Sequence, residues 1–169
     1  ILYCRGNGNL KLEIDEAGNF KIRGDYNITE GEYLFTLRNL ISKKFILQDG
    51  ASITFGGNPL DATLNMQAIY KTKASIYPLT LDESSGSNDK KRIPVDCRLF
   101  VKGKLQNPDI RFDFDLPSAS VADKDKVKSV VNTDQEMSQQ FLSLLVMSSF
   151  MTPSNSGRSQ GNSMGVDMA

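Results

Sequence analysis

A chain of 169 residues with 20 Lys and Arg against 20 Asp and Glu, no His, no Trp and two Cys fits one ordinary domain with a modest core. Zero formal charge leaves no electrostatic footprint for a polyanion, which argues against nucleic acid, since such binders draw most of their affinity from clustered cations on phosphates. The absence of His removes the commonest general base, the Ser/His and Cys/His nucleophile pairs and the imidazole metal ligands, and with them most hydrolase mechanisms.

Cys4 and Cys97 are too few for a disulfide framework, and we read them as free, partly buried thiols with a bridge left open. No segment reaches the roughly 18 to 20 apolar residues that span a bilayer, and no basic-then-apolar signal opens the chain. The first residue is Ile1 rather than Met, read here as the mark of a fragment of a longer or processed protein.

Period-two alternation dominates from Leu10 to Leu116, the signature of strands with one apolar and one polar face. Leu10, Leu12 and Ile14 alternate with Lys11, Glu13 and Asp15, and Ala17-Gly18-Asn19 turns the chain toward Phe20 and Ile22 as a hairpin. Gly24 interrupts, Tyr26 and Ile28 continue, and Thr29-Glu30-Gly31 is read as a turn into Tyr33, Phe35 and Leu37. Lys43 to Gln48 forms the next strand, and Asp49-Gly50 predicts a hairpin into Ile53 and Phe55 because both central residues of such a turn need positive φ.

Gly56-Gly57-Asn58-Pro59 predicts another turn, followed by the longest alternation: Leu60, Ala62, Leu64, Met66, Ala68 and Tyr70 face one way, with Ile69 out of phase. A strand of that length would run about 45 to 50 Å, against a usual length of about five or six residues, and suggests a wide or curled sheet. The polar run Ser84 to Arg92 is a solvated loop with a basic end, where Lys90, Lys91 and Arg92 either solvate the loop or touch acidic headgroups. Beyond it Ile93, Val95, Cys97, Leu99 and Val101 alternate, and after Gln106-Asn107-Pro108 so do Ile110, Phe112, Phe114 and Leu116.

Pro117 stops the sheet and the period lengthens. Helices are predicted over about 121–131 and 134–151, the second opened by the capping box Thr133-Asp134-Gln135-Glu136 and apolar on more than one side from Met137 to Met151. Residues 153–169 are poor in apolar side chains and predict a flexible Ser/Gly-rich tail or linker, leaving 1–152 as the folded domain.

Candidate chemistry is sparse. Asp109, Asp113 and Asp115 share one strand face, which would suit a calcium site or an acid–base pair using Asp113 and Asp115, but with Arg111 among them they read as a solvated surface. Gly56-Gly57 and Gly6-Asn7-Gly8 lack the strand, glycine loop and helix context of phosphate sites and read as turns. Asn27-Ile28-Thr29 matches a glycosylation pattern short enough to arise by chance, and the Phe141 to Met151 segment reads as a helix covering a sheet rather than one dipping into a membrane. The apolar sheet face is then either a packed core or a groove wider than its own side chains fill, and periodicity alone does not separate the two.

The stretch Gly31-Glu32-Tyr33-Leu34-Phe35-Thr36-Leu37, then Phe45 to Gly50, Ile53-Thr54-Phe55-Gly56-Gly57, Pro59-Leu60-Asp61-Ala62 and Ala68 resembles the C-terminal domain of the TamB family. Gly103-Lys104-Leu105-Gln106-Asn107-Pro108 matches that family's "G-x-L-x-x-P" lead into a late strand. The resemblance covers about Leu10 to Met151, rests on the order of short motifs, and is closest to versions from Bacteroides-like bacteria; the loop Ser84 to Arg92 and the tail depart from it.

The resemblance implies part of an AsmA-like, bridge-like lipid transport protein, anchored in the inner membrane, crossing the periplasm of a diderm bacterium and ending near the outer membrane. It implies a mainly β fold, a long-stranded curled antiparallel or mixed sheet forming a taco-like apolar groove with one or two C-terminal helices. It also implies a TamA-like Omp85 outer-membrane barrel as partner, and phospholipid or hydrophobic protein strands as cargo. No enzyme activity, cofactor or metal is expected. We place Tyr33, Phe35, Ile53, Phe55, Leu64, Met66, Leu99, Val101, Phe112 and Phe114 on the groove lining, so that Met66→Asp should weaken lipid occupancy and Gln67→Asp should not. The alternative is an interaction module whose exposed sheet edge pairs with a barrel partner or a neighbouring segment without carrying lipid.

Overall fold

A computed structural model describes residues 1–81 and 90–153. The predicted tail, save Pro153, and most of the Ser84 to Arg92 loop lie outside the described residues. The chain is mainly β, as the alternation predicts, with strands β1 (Leu2–Ile14), β2 (Phe20–Leu37), β3 (Ile41–Leu47), β4 (Ser52–Gly57), β5 (Thr63–Ala74), β6 (Ile93–Lys104) and β7 (Asn107–Asp115) in one antiparallel sheet. The described residues also form three helices, α1 (Tyr77–Thr80), α2 (Val121–Val130) and α3 (Asp134–Met147). Two compact units divide the chain, one of Ile1–Tyr70 and Arg98–Phe112, the other of Lys71–Cys97 and Asp113–Ala169.

In the first unit β1 and β2 form a long antiparallel hairpin whose closing turn is set by Asp15. Its carboxylate accepts from the Asn19 backbone N–H (2.8 Å) and side-chain amide (3.1 Å), and these bonds hold it below its ordinary value. The hairpin begins at Leu2, eight residues before the predicted start, so Gly6-Asn7-Gly8 is strand and not turn. The glycines there serve a close approach: a Cβ on Gly6 would collide with the Asn27 carbonyl, and one on Gly24, at φ +124°, with the Asn9 carbonyl.

Neither of the next two predicted turns reverses the chain. Arg5 pairs with Glu30 and Gly6 with Ile28, leaving Thr29 as the extra residue of a β-bulge whose hydroxyl donates to the Arg5 carbonyl (3.1 Å). The bulge moves the inward positions of β2 from even numbers (Ile22, Tyr26, Ile28) to odd ones (Tyr33, Phe35), the same shift of phase that a turn would leave in the sequence. Asp49-Gly50 likewise is no hairpin. β3 and β4 both run antiparallel to β2, β3 against Glu32–Leu37 and β4 against Ile22–Asn27, so the chain keeps its direction and merely loops out at Asp49 and Gly50. β5 then lies against both, pairing Ile46 with Ile69 and Ile53 with Leu64. The Thr29 bulge thus interrupts the pairing of β2 on one side and the Asp49-Gly50 loop interrupts it on the other.

β5 starts at Thr63 rather than Leu60, because Asn58 caps a 3-10 turn over Pro59–Asp61 by accepting from the Leu60 backbone N–H (3.0 Å). Aromatic contacts fill the first unit's interior: Phe35 meets Phe45 and Phe112 edge-on at 6.0 and 6.1 Å, and Phe45 lies 5.8 Å from Tyr70.

The second unit is organised around α3. Its start follows the predicted cap, with the Thr133 hydroxyl accepting from the Glu136 backbone N–H (3.1 Å). Its end does not: α3 stops at Met147 instead of about 151, because Ser148 takes a left-handed conformation and the following residues fold back. Buried Gln140 binds the Met151 backbone through both ends of its amide, donating to the carbonyl (2.8 Å) and accepting from the N–H (2.9 Å), and the Ser143 hydroxyl donates to the Ser149 carbonyl (2.6 Å). Phe150 is thereby set 5.0 Å from Phe114, with Phe141, Leu144 and Leu145 buried alongside in the same unit.

Candidate functional site

Strand pairing, read together with burial, places one apolar surface in the first unit. Residues opposite each other on neighbouring strands share a face, so Tyr26, Ile53 and Leu64 form one row across β2, β4 and β5. Leu2, Tyr33 and Phe45 form another across β1, β2 and β3. Along β1 the same face continues through Leu10, Leu12 and Ile14, opposite Gly24, Ile22 and Phe20.

The face is closed in one part and open in another. Of the residues predicted to line it, Phe35, Leu64, Met66, Leu99 and Val101 are buried, while Tyr33, Ile53, Phe55 and Phe112 are half-buried. Phe114 belongs to the second unit, buried against Phe150. Toward the hairpin turn exposure rises, from 39% at Leu10 to 61% at Leu12 and 75% at Ile14, and Phe20 is exposed beside them. Sequence reasoning missed Leu2, Cys4 and Phe45 on this face. Leu2 and Cys4 were hidden because the glycines after them read as a turn, whereas Phe45 was visible in the alternation of Lys44, Phe45, Ile46 and Leu47.

The opposite face is polar and internally paired. Arg23 donates to the Gly56 carbonyl (3.1 Å), Thr54 to the Asp25 carboxylate (2.8 Å), and Lys44 lies 3.3 Å from Glu32 and Arg5 3.5 Å from Glu30. A depression of about 720 Å³ sits here, lined by Leu2 to Arg5, Glu30 to Glu32 and Ile46. Its charged rim of both signs does not suit hydrocarbon, so volume alone does not mark the apolar site.

The apolar face is built from aliphatic and aromatic side chains, whose contribution to binding is the removal of apolar surface from water. Burying an acyl chain there would gain about 0.8 kcal/mol per methylene, with little demand on sequence. Cys97, buried in the second unit, has its thiol pushed up to about 12 by burial and by the neighbouring Asp96 charge, which leaves it without nucleophilic character. Two of the three aspartates of β7 are engaged separately. Asp113 accepts from the Phe114 backbone N–H (2.8 Å) and Asp115 lies 3.9 Å from Lys124. Among the described residues no group of three or more His, Cys, Asp or Glu is gathered to hold a metal ion.

Compared with known families, residues 1–169, the whole chain, match the model described as the TamB C-terminal domain. No relative among curated proteins matches.

Proposed function

The chain belongs to the TamB family, and from that premise we propose that its apolar sheet face shields phospholipid acyl chains, or the strands of nascent outer-membrane proteins, on their way across the periplasm. The family is a non-enzymatic one, its C-terminal domain implies a role in outer-membrane protein assembly or lipid transport, and it works with TamA-type Omp85 partners. The observation that carries the finer reading is the continuity of the face from the buried Leu64 and Met66 through half-open Tyr26, Ile53 and Phe55 to exposed Leu12 and Ile14. Monomeric proteins seldom leave a run of large apolar side chains open to water unless something covers it. The groove lining in this reading comprises Tyr33, Phe35, Ile53, Phe55, Leu64, Met66, Leu99, Val101 and Phe112, all in the first unit.

No helix among the described residues is long and apolar enough to cross a membrane. The test is lipid extraction and mass spectrometry of the chain purified from a diderm periplasm. Phe55→Asp, on the apolar face, should lose co-purifying lipid, and Thr54→Asp, exposed on the opposite face, should keep it. Equal lipid content in both folded variants would refute the groove.

A second reading has an observation of its own. Among the described residues β1 stands at one end of the strand order and pairs along all 13 residues with β2 alone, so its other edge offers a long row of backbone groups for strand addition by a barrel or a neighbouring segment. Lysines at the exposed positions Tyr3 and Asn7 should abolish such pairing while leaving lipid occupancy unchanged.

A further inference from the structure

The second unit contains a cationic cleft of about 630 Å³ lined by Lys71, Thr72, Lys73, Arg92, Pro94, Asp96 and Pro117. Three cations against one carboxylate make it locally positive in a chain whose formal charge is zero. Three exposed cations elsewhere are neutralised by carboxylates: Arg5 by Glu30, Lys11 by Glu13 and Lys44 by Glu32. Among the described residues none stands within ion-pair distance of Lys71, Lys73 or Arg92. Arg92 is nonetheless held in place, its guanidinium donating to the Lys73 carbonyl (2.8 Å) and to the Ser148 carbonyl (3.4 Å). Those bonds fix the fork beside Lys73 without neutralising it, and they use one of its terminal nitrogens, so donors remain for a ligand.

We propose that this cleft is a binding site for a phosphoryl anion. A fixed guanidinium with two ammonium groups matches a group that carries charge on several oxygens, and the volume leaves room for the organic part of a phosphate ester. Two sources share this chemistry, a lipid headgroup and a soluble phosphate compound. The site lies within the second unit, and its binding of a phosphoryl group does not depend on acyl-chain shielding.

The test uses the full chain. Inorganic phosphate, titrated while backbone amide resonances are followed by NMR, should shift Lys71, Lys73 and Arg92 saturably. Flotation with vesicles of phosphatidylglycerol in phosphatidylcholine then separates the sources. Lys71→Gln with Lys73→Gln should weaken phosphate binding about twenty-five-fold, at about fivefold per lysine. Lys71→Arg with Lys73→Arg should retain it. Lys102→Gln with Lys104→Gln, which removes the same charge from exposed positions in the first unit, should leave it unchanged.

Saturable shifts together with flotation that the Lys71/Lys73 glutamine pair abolishes assign a lipid headgroup, whereas saturable shifts without such flotation assign a soluble phosphoryl compound. An absence of saturable shifts at these residues, or equal loss in the Lys102 and Lys104 variant, overturns the proposal.

Discussion

Two stretches of the first unit carry the same sequence signal and meet opposite fates. Leu10, Leu12 and Ile14 on β1 and Leu64, Met66 and Ala68 on β5 are both apolar rows at period two, and strand pairing puts both on the apolar face. Yet Ile14 is 75% exposed and Met66 only 4%. Alternation therefore tells which face a side chain occupies, not whether anything covers that face. The difference comes from neighbours. β5 lies between β3 and β4 on one side and β6 on the other, whereas β1 has a strand on one side only and faces glycine at Gly24.

The largest effect that would test this contrast is a charge placed on each row. Met66→Asp puts a carboxylate where no water reaches and should destabilise by more than about 4 kcal/mol in chemical denaturation, while Leu12→Asp should change stability by less than about 0.5 kcal/mol. Met66→Asp thus reports on folding before it reports on lipid, and Phe55→Asp is the better probe of occupancy. A Leu12→Asp variant as unstable as Met66→Asp would break the comparison.

Truncation should follow the same order. Leu99→Ala, at a position with almost no exposure, should cost about 2 to 5 kcal/mol through lost burial and the cavity left behind, and Ile14→Ala should fall within about 0.5 kcal/mol of the parent. Gly24→Ala belongs between them, at about 1 to 3 kcal/mol, since it adds a Cβ against the Asn9 carbonyl at φ +124°. Thermal or denaturant midpoints of the three variants would rank them.

A chemical probe sharpens the contrast without altering stability. Cys4 lies half-buried on β1, and Cys97 is fully buried with its thiol held near 12. Because the folded value is raised, Cys97 stays protonated far beyond the pH where an ordinary thiol ionises. A maleimide reagent at mildly alkaline pH should label Cys4 in the native chain and Cys97 only after unfolding. Labelling of Cys97 at the rate of Cys4 would show that its surroundings open readily.

How much of this was legible in the sequence depends on the kind of signal. Strand faces came through because period two follows from pleat geometry alone, as with Val95, Cys97, Leu99 and Val101, all buried. The Thr133 cap came through because it is local. Thr29-Glu30-Gly31 and Asp49-Gly50 did not, because a bulge and a turn leave the same break in phase, and the partners that decide between them are distant in sequence. For Asp49-Gly50 the hairpin preference of two residues is overridden by pairing of both flanking strands with β2.

The end of α3 was hidden for a similar reason. Phe150 and Met151 extend the apolar helical pattern, but Gln140 and Ser143 capture backbone carbonyls of the returning segment. Which side chains share the apolar face was legible, whereas the division of that face into closed and half-open parts depends on packing that no local pattern encodes.

The central claim, that the half-open part of the apolar face holds hydrocarbon, is tested most directly by a photo-crosslinking residue at Ile53, with the adjacent Thr54 on the polar face as control. With the chain produced in the periplasm of a diderm host and analysed by mass spectrometry after irradiation, the account predicts adducts of lipid mass at Ile53 and none at Thr54. Lipid adducts at both positions, or at neither in a chain shown to be folded, would contradict it.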